Sequence, residues 1–207
     1  MKKILLILSG IILTCASSDA QTTVFEENFN GLNNMPASIT VMNNNNDNIL
    51  FNLDQTGGVS GSECAFIGWT AVGNGNSDQL RFSPQTFIAG ETYILKFSEK
   101  IYNSNYPESI YYGFANTSTN TWVSSSGLVI STSTSFQERS FSMTPTVTFT
   151  GIAIIGNQSD DKAGWYVDDI SITVPSAISV VTSPASQISK NSAVSGGTIT
   201  NPNNEVI

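Results

Sequence analysis

The sequence predicts an all-β fold, a two-sheet antiparallel β-sandwich of the jelly-roll type, followed by an incomplete β-module or a tail. About ten short runs of alternating apolar and polar residues occur between residues 23 and 174, separated by clusters of Gly, Pro, Asn and Ser. No stretch keeps a 3.6-residue period, so few helices are expected. Many short strands in one domain favour a sandwich.

The strand assignments depend on alternation and on the turns that end each run. The polar loop 43–48 separates two runs, a Gly/Ser turn precedes residue 65, and Ser83-Pro84 ends the run at Phe82. Residues 92–101 form a long alternating run. The predicted strands are 23–29, 39–42, 49–53, 65–70, 79–82, 92–101, 109–115, 127–131, 137–143, 146–155 and 166–174.

The first twenty residues are predicted to be a signal peptide. Lys2 and Lys3 precede the apolar run 4–13, which is too short to span a bilayer, and residues 18–20 offer a small-residue cleavage site. A lipid attached at Cys15 is the alternative. We therefore expect a protein secreted to the medium or held at the cell surface. No later run is long and apolar enough for membrane insertion.

The rest of the chain divides in two by composition. Residues 21–175 are predicted to form the jelly-roll domain. Residues 176–207 hold no aromatic residue, so they cannot form a core alone. Two interpretations of this part stay open: a truncated second β-module or a flexible tail.

The charge of the chain restricts its partners. Without residues 1–20, six basic and fifteen acidic side chains give a net charge of −9. This charge argues against nucleic acid or an anionic membrane surface as a partner, and it suits an exported protein that binds cations. Cys64 is then the one cysteine left, so no internal disulfide is possible, and a buried, inert thiol is expected. We expect a monomer.

The run 164–174 contains the most informative acidic residue. Alternation places Tyr166, Ile170 and Ile172 on one face and puts Asp168 in register with them. A bare carboxylate on an apolar face needs a cation or several hydrogen-bond donors. Asp168 is therefore a candidate metal ligand, with hydrogen bonding at a strand end as the alternative.

Several segments, taken in their order along the chain, resemble a known family. It is the cleaved-adhesin or choice-of-anchor J domain of secreted bacterial surface proteins, a jelly roll related in shape to MAM domains and to carbohydrate-binding modules. The Trp that usually follows the first strand is absent, since residues 35–37 read Met-Pro-Ala. Residues 192–199 are similar to the start of an immunoglobulin-like module. The matching segments are 24–31, 83–84, 89–97, 107–110, 151–156 and 164–170.

The resemblance implies a structural calcium ion between the first and last strands. Glu27 shares a face with Phe25 and Phe29 by alternation, so it is a second carboxylate in register with apolar side chains. Calcium takes six to eight oxygen ligands. Glu27, Asp168 and Asp47 of the loop 43–48 form the predicted ligand set. The family usually carries several aspartates in this loop, so the asparagines found here predict weaker binding.

A glycan platform would need exposed aromatic rings. Trp122 and the loop tyrosines Tyr102 and Tyr106 follow or occupy polar segments, so they are the predicted ligand-binding residues. Core burial is favoured for Trp69 and Trp165. Tyr111 and Tyr112 complete the set of aromatic side chains that could serve such a platform.

Catalysis has little support in the sequence. The chain has no histidine, which removes the usual general base. Paired carboxylates could cleave a glycoside, but the spacing does not show two converging, and Glu91 and Glu99 are expected to be solvated. We therefore predict a non-catalytic adhesion or binding domain whose partner is a glycan or an extracellular protein. The alternatives are a carbohydrate-binding module of a larger polysaccharide-processing protein, a sandwich-fold glycosidase or lyase, and a structural spacer.

Overall fold

The computed structural model describes residues 21–43, 49–68, 76–82, 85–116, 121–122, 127–158, 164–175, 179–186 and 194–200. One compact unit runs from Gln21 to Pro175, and the described residues 179–186 and 194–200 belong to a second unit. Within the described residues, no helix has the length and apolarity that a membrane span requires. The predicted signal peptide lies outside the described residues.

The first six-stranded sheet, called sheet 1, is antiparallel throughout. Its order is β10-β6-β12-β4-β3, and β1 also pairs with β12. The first and last strands of the domain are therefore neighbours, with Glu27 opposite Ile170. The strands are β1 (Gln21–Glu27), β3 (Asn52–Asp54), β4 (Cys64–Ile67), β6 (Tyr93–Ile101), β10 (Gln137–Met143) and β12 (Trp165–Pro175).

The second six-stranded sheet, called sheet 2, packs its inner face against sheet 1. Its order is β2-β5-β11-β7-β8, and β9 pairs with β7 beside β8. All pairs are antiparallel. The strands are β2 (Ile39–Met42), β5 (Asn76–Phe82), β7 (Glu108–Asn116), β8 (Thr121–Trp122), β9 (Gly127–Ser131) and β11 (Gly151–Gln158).

Two further strands form a separate hairpin in the second unit. β13 (Ser179–Ser186) pairs antiparallel with β14 (Val194–Thr200). An isolated two-stranded hairpin is marginally stable in water.

The core lies between the two sheets, and the alternation of apolar and polar side chains is clearest on β6. On β6 every second residue from Tyr93 to Ile101 is buried, and Leu80 and Ile154 face them from sheet 2. Phe29, Phe82 and Trp165 add large buried rings. The all-β jelly-roll class predicted from the sequence is confirmed, and so is core burial of Trp165.

Some predicted strand limits differ from the observed ones. The strand expected from residue 146 begins at Gly151, because Phe149 instead forms an isolated bridge to Phe87. The strand expected over 49–53 is reduced to Asn52–Asp54. Tertiary pairing, which local alternation does not report, decides both limits.

The predicted face of β12 is wrong in its first half. Trp165 and Val167 belong to the core, as do Ile170 and Ile172, so the inward positions change parity between Val167 and Ile170. A β-bulge between Asp168 and Ser171 causes this shift, because three steps on β12 oppose two on β6. Asp169, within the bulge, has a left-handed φ of 49°. Tyr166 and Asp168 therefore lie on the outer face of sheet 1.

Candidate functional site

Asp168 is fully buried although it lies on the outer face of sheet 1. The loop that contains the 3₁₀ turn Val59–Gly61 covers it. The backbone N–H of Val59 donates to its Oδ2 at 2.8 Å, and the Ser62 hydroxyl donates to the same oxygen at 3.3 Å. The N–H of Asp169 donates to Oδ1 at 2.8 Å. These donors give the buried charge the partners that it requires.

The loop approaches Asp168 so closely that it needs a glycine. A Cβ added at Gly58 would lie 2.7 Å from Asp168 Oδ2 and 2.6 Å from the Glu63 carbonyl oxygen. Burial raises the pKa of the Asp168 carboxyl above its ordinary value, and the bond from Val59 opposes that shift. Desolvation therefore exceeds the compensation that the hydrogen bonds supply.

The predicted metal ligands are only partly brought together. β1 ends at Glu27 opposite Ile170, and β4 ends its pairing at Val167, so Asp168 lies at the junction between these two neighbours of β12. The Oε1 of Glu27 accepts a bond from the Phe29 N–H at 2.8 Å. Asp47, the third predicted ligand, lies outside the described residues.

Among the residues that the structure describes, no three Asp, Glu, Cys or His side chains are placed to hold a metal ion. The groups that bond to Asp168 are the backbone N–H of Val59, that of Asp169 and the Ser62 hydroxyl. Calcium binding stays a prediction.

Cys64 lies beside this junction as a buried free thiol. Its pKa is raised to about 12, first by burial and then by the nearby carboxylates of Asp168 and Asp54. The expected inert thiol fits this environment.

The expectation that Glu99 is solvated is wrong. Its side chain is fully buried between the sheets and forms an ion pair with Arg139, whose Nη2 lies 2.7 Å from Oε1. The Ser131 hydroxyl and the Trp165 indole N–H donate to its Oε2. The alternation of β6, which places Glu99 in phase with Phe97 and Ile101, is the sequence signal that indicates this inward position.

The outer face of sheet 1 carries a continuous row of three aromatic rings and one lysine. This row is called the ring ladder, and its members are Phe66, Tyr166, Lys100 and Phe136. Phe66 and Lys100 lie opposite Tyr166 in the pairing of β4, β12 and β6. The Phe66 and Tyr166 centroids are 4.5 Å apart. Lys100 Nζ lies 4.6 Å from the Phe136 centroid and 4.7 Å from that of Tyr166. Members of the ladder occupy one another's ring faces, so they stabilise the sheet.

The outer face of sheet 2 carries a different row, called the cross-sheet row: Met42, Gln79, Ile155, Tyr111 and Leu128. Each residue is the direct partner of the next across β2, β5, β11, β7 and β9. Cross-strand partners share a face, and their chain neighbours on β5, β7 and β11 belong to the core, so the row points outward.

Exposure along the cross-sheet row is lowest at its centre. Gln79 and Ile155 are buried, Met42 and Tyr111 are half-buried, and Leu128 is 50% exposed. Among the described residues, no other aromatic ring packs against Tyr111. Its ring thus differs from those of the ring ladder, whose faces are occupied.

A second row runs parallel to the cross-sheet row on the same face of sheet 2. Thr40, Arg81, Ala153 and Gly113 are successive partners across the same strands. The Arg81 Nε donates to the Gln79 Oε1 at 2.8 Å, and both side chains are buried. Burial lowers the pKa of the Arg81 guanidinium below its ordinary value. Ala153 and Gly113 are buried as well, so Thr40 is the exposed member of this row.

The predicted ligand-binding aromatics fall at the two ends of β7. Tyr102 and Tyr106, 68% and 39% exposed, lie in the turn before the strand. Trp122 is the partner of Ala115 near the other end of β7. The side chain of Trp122 is not among those that the structure describes. The part of β7 from Glu108 to Ala115 is roughly 23 Å long. The three residues therefore do not form one local platform, whereas Tyr111, from the wider predicted set, lies between them.

The sequence pattern alone does not single out Gln79, Arg81, Met42 or Leu128. Each is an ordinary residue of an alternating strand, and only the strand order of sheet 2 places them in adjacent rows. The weak alternation signal of β9, with Leu128 and Ile130 both outward, was the one local indication of an apolar surface there.

The fold defines a class: a two-sheet jelly roll of the kind found in adhesin and carbohydrate-binding domains. No family model matches the sequence, and no curated protein matches it. Solved structures do. The K1 cleaved adhesin domain of Lys-gingipain from Porphyromonas gingivalis W83 is 15% identical, with a TM-score of 0.57 over 73% of this chain and 97% of that chain.

Two further structures extend the likeness. The CBM22-1 xylan-binding domain of Paenibacillus barcinonensis Xyn10C is 9% identical, with a TM-score of 0.54 over 78% of this chain and 100% of that one. An α-L-arabinofuranosidase, MgGH51, is 9% identical, with a TM-score of 0.56 over 72% of this chain and 26% of that one. At such identities the likeness shows the fold, and it confirms in fold the resemblance predicted from the sequence.

Proposed function

We propose that residues 21–175 form a non-catalytic extracellular binding domain that holds a glycan across the outer face of sheet 2. The observation that supports this proposal most is the cross-sheet row. It combines the half-buried ring and the hydroxyl of Tyr111 with apolar neighbours that include the exposed Leu128. Sugars present both apolar faces and hydroxyl groups, so a surface of this composition suits them.

The dimensions of the row suit an extended chain of sugars. Neighbouring strands lie 4.7–4.9 Å apart, so four steps from Met42 to Leu128 span about 19 Å. The row runs perpendicular to the strands and contains no charged residue.

The absence of catalysis is also part of the proposal. The cross-sheet row brings no carboxylate pair to this face, and the buried Glu99 is already bonded to Arg139 and Ser131 on the opposite side of the core. A glycosidase needs two carboxyl groups flanking the bond that breaks. The arabinofuranosidase likeness covers only a quarter of that enzyme, so it concerns one of its parts.

A place within a larger polysaccharide-processing protein is the second candidate. It is favoured by the likeness to the CBM22-1 domain, whose name describes it as xylan-binding. Adhesion at a cell surface is favoured by the likeness to the Lys-gingipain domain. Both candidates use the same glycan-binding face, and they differ in the protein that carries the domain.

The experiment is a binding assay on insoluble polysaccharides, with xylan, cellulose, mannan and chitin as probes. Tyr111→Ala should weaken binding at least tenfold, as loss of a central aromatic anchor does. Tyr102→Ala is the matched control, because Tyr102 is more exposed but lies off the row. Unchanged thermal unfolding would show that both variants fold.

The opposite result is equally informative. If Tyr102→Ala weakens binding and Tyr111→Ala does not, the ligand binds at the β6–β7 turn that the sequence indicated. If no polysaccharide binds the wild-type chain, the glycan proposal fails and an extracellular protein becomes the ligand to test.

A further inference from the structure

The edge strand β9 has features that set it apart from the other edges of the sandwich. Among the described strands it pairs with β7 only. Its Leu128 and Ile130 are 50% and 59% exposed. An edge strand offers unpaired backbone N–H and C=O groups, so an apolar one is a template for another strand.

The sequence around β9 lacks the usual protection of an edge. No charged residue and no proline occurs between Glu108 and Glu138. Natural sheets protect their edges with Lys, Pro or inward charges. β10, an edge strand of sheet 1, follows that rule, because it contains Glu138 and Arg139.

We infer that β9 is a homophilic interface, at which the β9 strands of two copies of this chain pair antiparallel about a two-fold axis. The axis would pass near Val129, so that Leu128 of each copy lies opposite Ile130 of the other. The same short strand then serves both partners, as an isologous contact requires. Sheet 2 becomes one continuous twelve-stranded sheet across the dimer.

Charge selects β9 among the edges at which two copies of the chain could meet. The chain carries a net charge of −8, so most faces of two copies repel each other. The stretch between Glu108 and Glu138 contains no charged residue, and it provides β8, β9 and most of β7. Pairing through β9 therefore brings no carboxylates from this stretch together. Pairing through β10 would instead place exposed Glu138 side chains at the contact.

The contact is small, so the dimer should be weak. A five-residue strand with two apolar side chains buries far less than the area of a standard stable interface. We expect a dissociation constant on the order of 10⁻⁴ M. A chain held at high local density on a surface would reach such a concentration.

Pairing through β9 has one consequence that rests on the proposed function. Leu128 ends the cross-sheet row at β9, so the rows of the two copies would meet at the dimer axis and form a single binding face twice as long. Long glycans would then bind more tightly than short ones, through two linked sites.

The test is sedimentation equilibrium of the chain over micromolar to millimolar concentration, with no glycan present. Ile130→Lys adds a charge at the edge without touching the cross-sheet row, and it should weaken the dimer at least tenfold. Val147→Lys is the matched control, because Val147 is 55% exposed outside β9 and the charge change is the same. Both sites are exposed, so little effect on unfolding is expected.

A wild-type chain that stays monomeric at millimolar concentration would overturn the inference. A dimer that Ile130→Lys leaves intact, or that both variants weaken equally, would place the contact elsewhere. Because no polysaccharide takes part, failure here leaves the glycan proposal standing, and failure of glycan binding leaves the dimer standing.

Discussion

The two outer faces of the sandwich use aromatic residues in opposite ways. On sheet 1, Phe66 and Tyr166 pack against each other and Lys100 lies between Tyr166 and Phe136. On sheet 2, Tyr111 stands among aliphatic and amide side chains in the cross-sheet row. Counts of aromatic residues therefore do not identify a binding face. The decisive property is whether a ring face is open to a ligand.

The strongest test of this comparison removes one tyrosine from each face. Tyr166→Ala should lower the free energy of unfolding by about 2–3 kcal/mol, because a partly buried ring loses its neighbours on both sides. Its effect on polysaccharide binding should be negligible. Tyr111→Ala should reverse the pattern, with a small effect on stability and a large one on binding. Urea denaturation and the polysaccharide assay together check both.

If both variants affect binding, the two faces act together and the comparison fails. If Tyr111→Ala costs as much stability as Tyr166→Ala, the Tyr111 ring is part of the packing rather than of a binding face.

Lys100→Met tests whether the lysine ammonium stabilises the ring ladder on sheet 1. The methionine keeps the apolar stem but loses the ammonium that contacts two rings, so we expect a loss of about 1 kcal/mol in the free energy of unfolding. Urea denaturation measures it. Lys96→Met on the outer face of the same strand is the control. An equal loss in both variants would mean that the ring ladder gains nothing from its cation.

The smallest effect, but the one whose sign matters most, concerns Asp168. Its pKa is raised in the folded state, so the folded protein binds this proton more tightly than the unfolded chain does. Stability relative to Asp168→Asn should therefore increase as the pH falls through the raised folded pKa toward the ordinary value near 3.8. Unfolding measured against pH in EDTA checks this direction.

The same titration in excess Ca²⁺ tests the predicted metal site. A calcium ligand must be deprotonated, so bound calcium would make stability fall on acidification, the opposite sign. It would also raise the melting temperature at neutral pH. Identical curves in Ca²⁺ and EDTA would show that hydrogen bonds alone stabilise Asp168.

The sequence predicted the fold better than it predicted the site. Alternation identified β6 and β12 because the side-chain period of a strand is directly visible in residues 93–101 and 165–175. It failed at Asp168, because the bulge beside Asp169 depends on a left-handed φ that no local pattern announces. Burial of Asp168 was expected correctly, but on the wrong face.

The site residues also divide into those that the sequence pattern could predict and those that it could not. Glu99 was accessible to prediction, since its phase on β6 matches that of Phe97. The cross-sheet row was not, because it requires the order β2-β5-β11-β7-β9, which joins strands distant in sequence. Neither Gln79 nor Leu128 differs from a surface residue until Tyr111 and Ile155 are known to lie between them.

The buried thiol of Cys64 gives this protein an internal reporter of the opening of sheet 1. Cys64 lies on β4, which pairs with β12 on one side and β3 on the other, and its raised pKa keeps it in the unreactive thiol form. A thiol reagent can therefore modify it only in molecules where β4 has separated from the sheet. The rate of labelling without denaturant measures how often β4 separates from the sheet, and it requires no engineered probe.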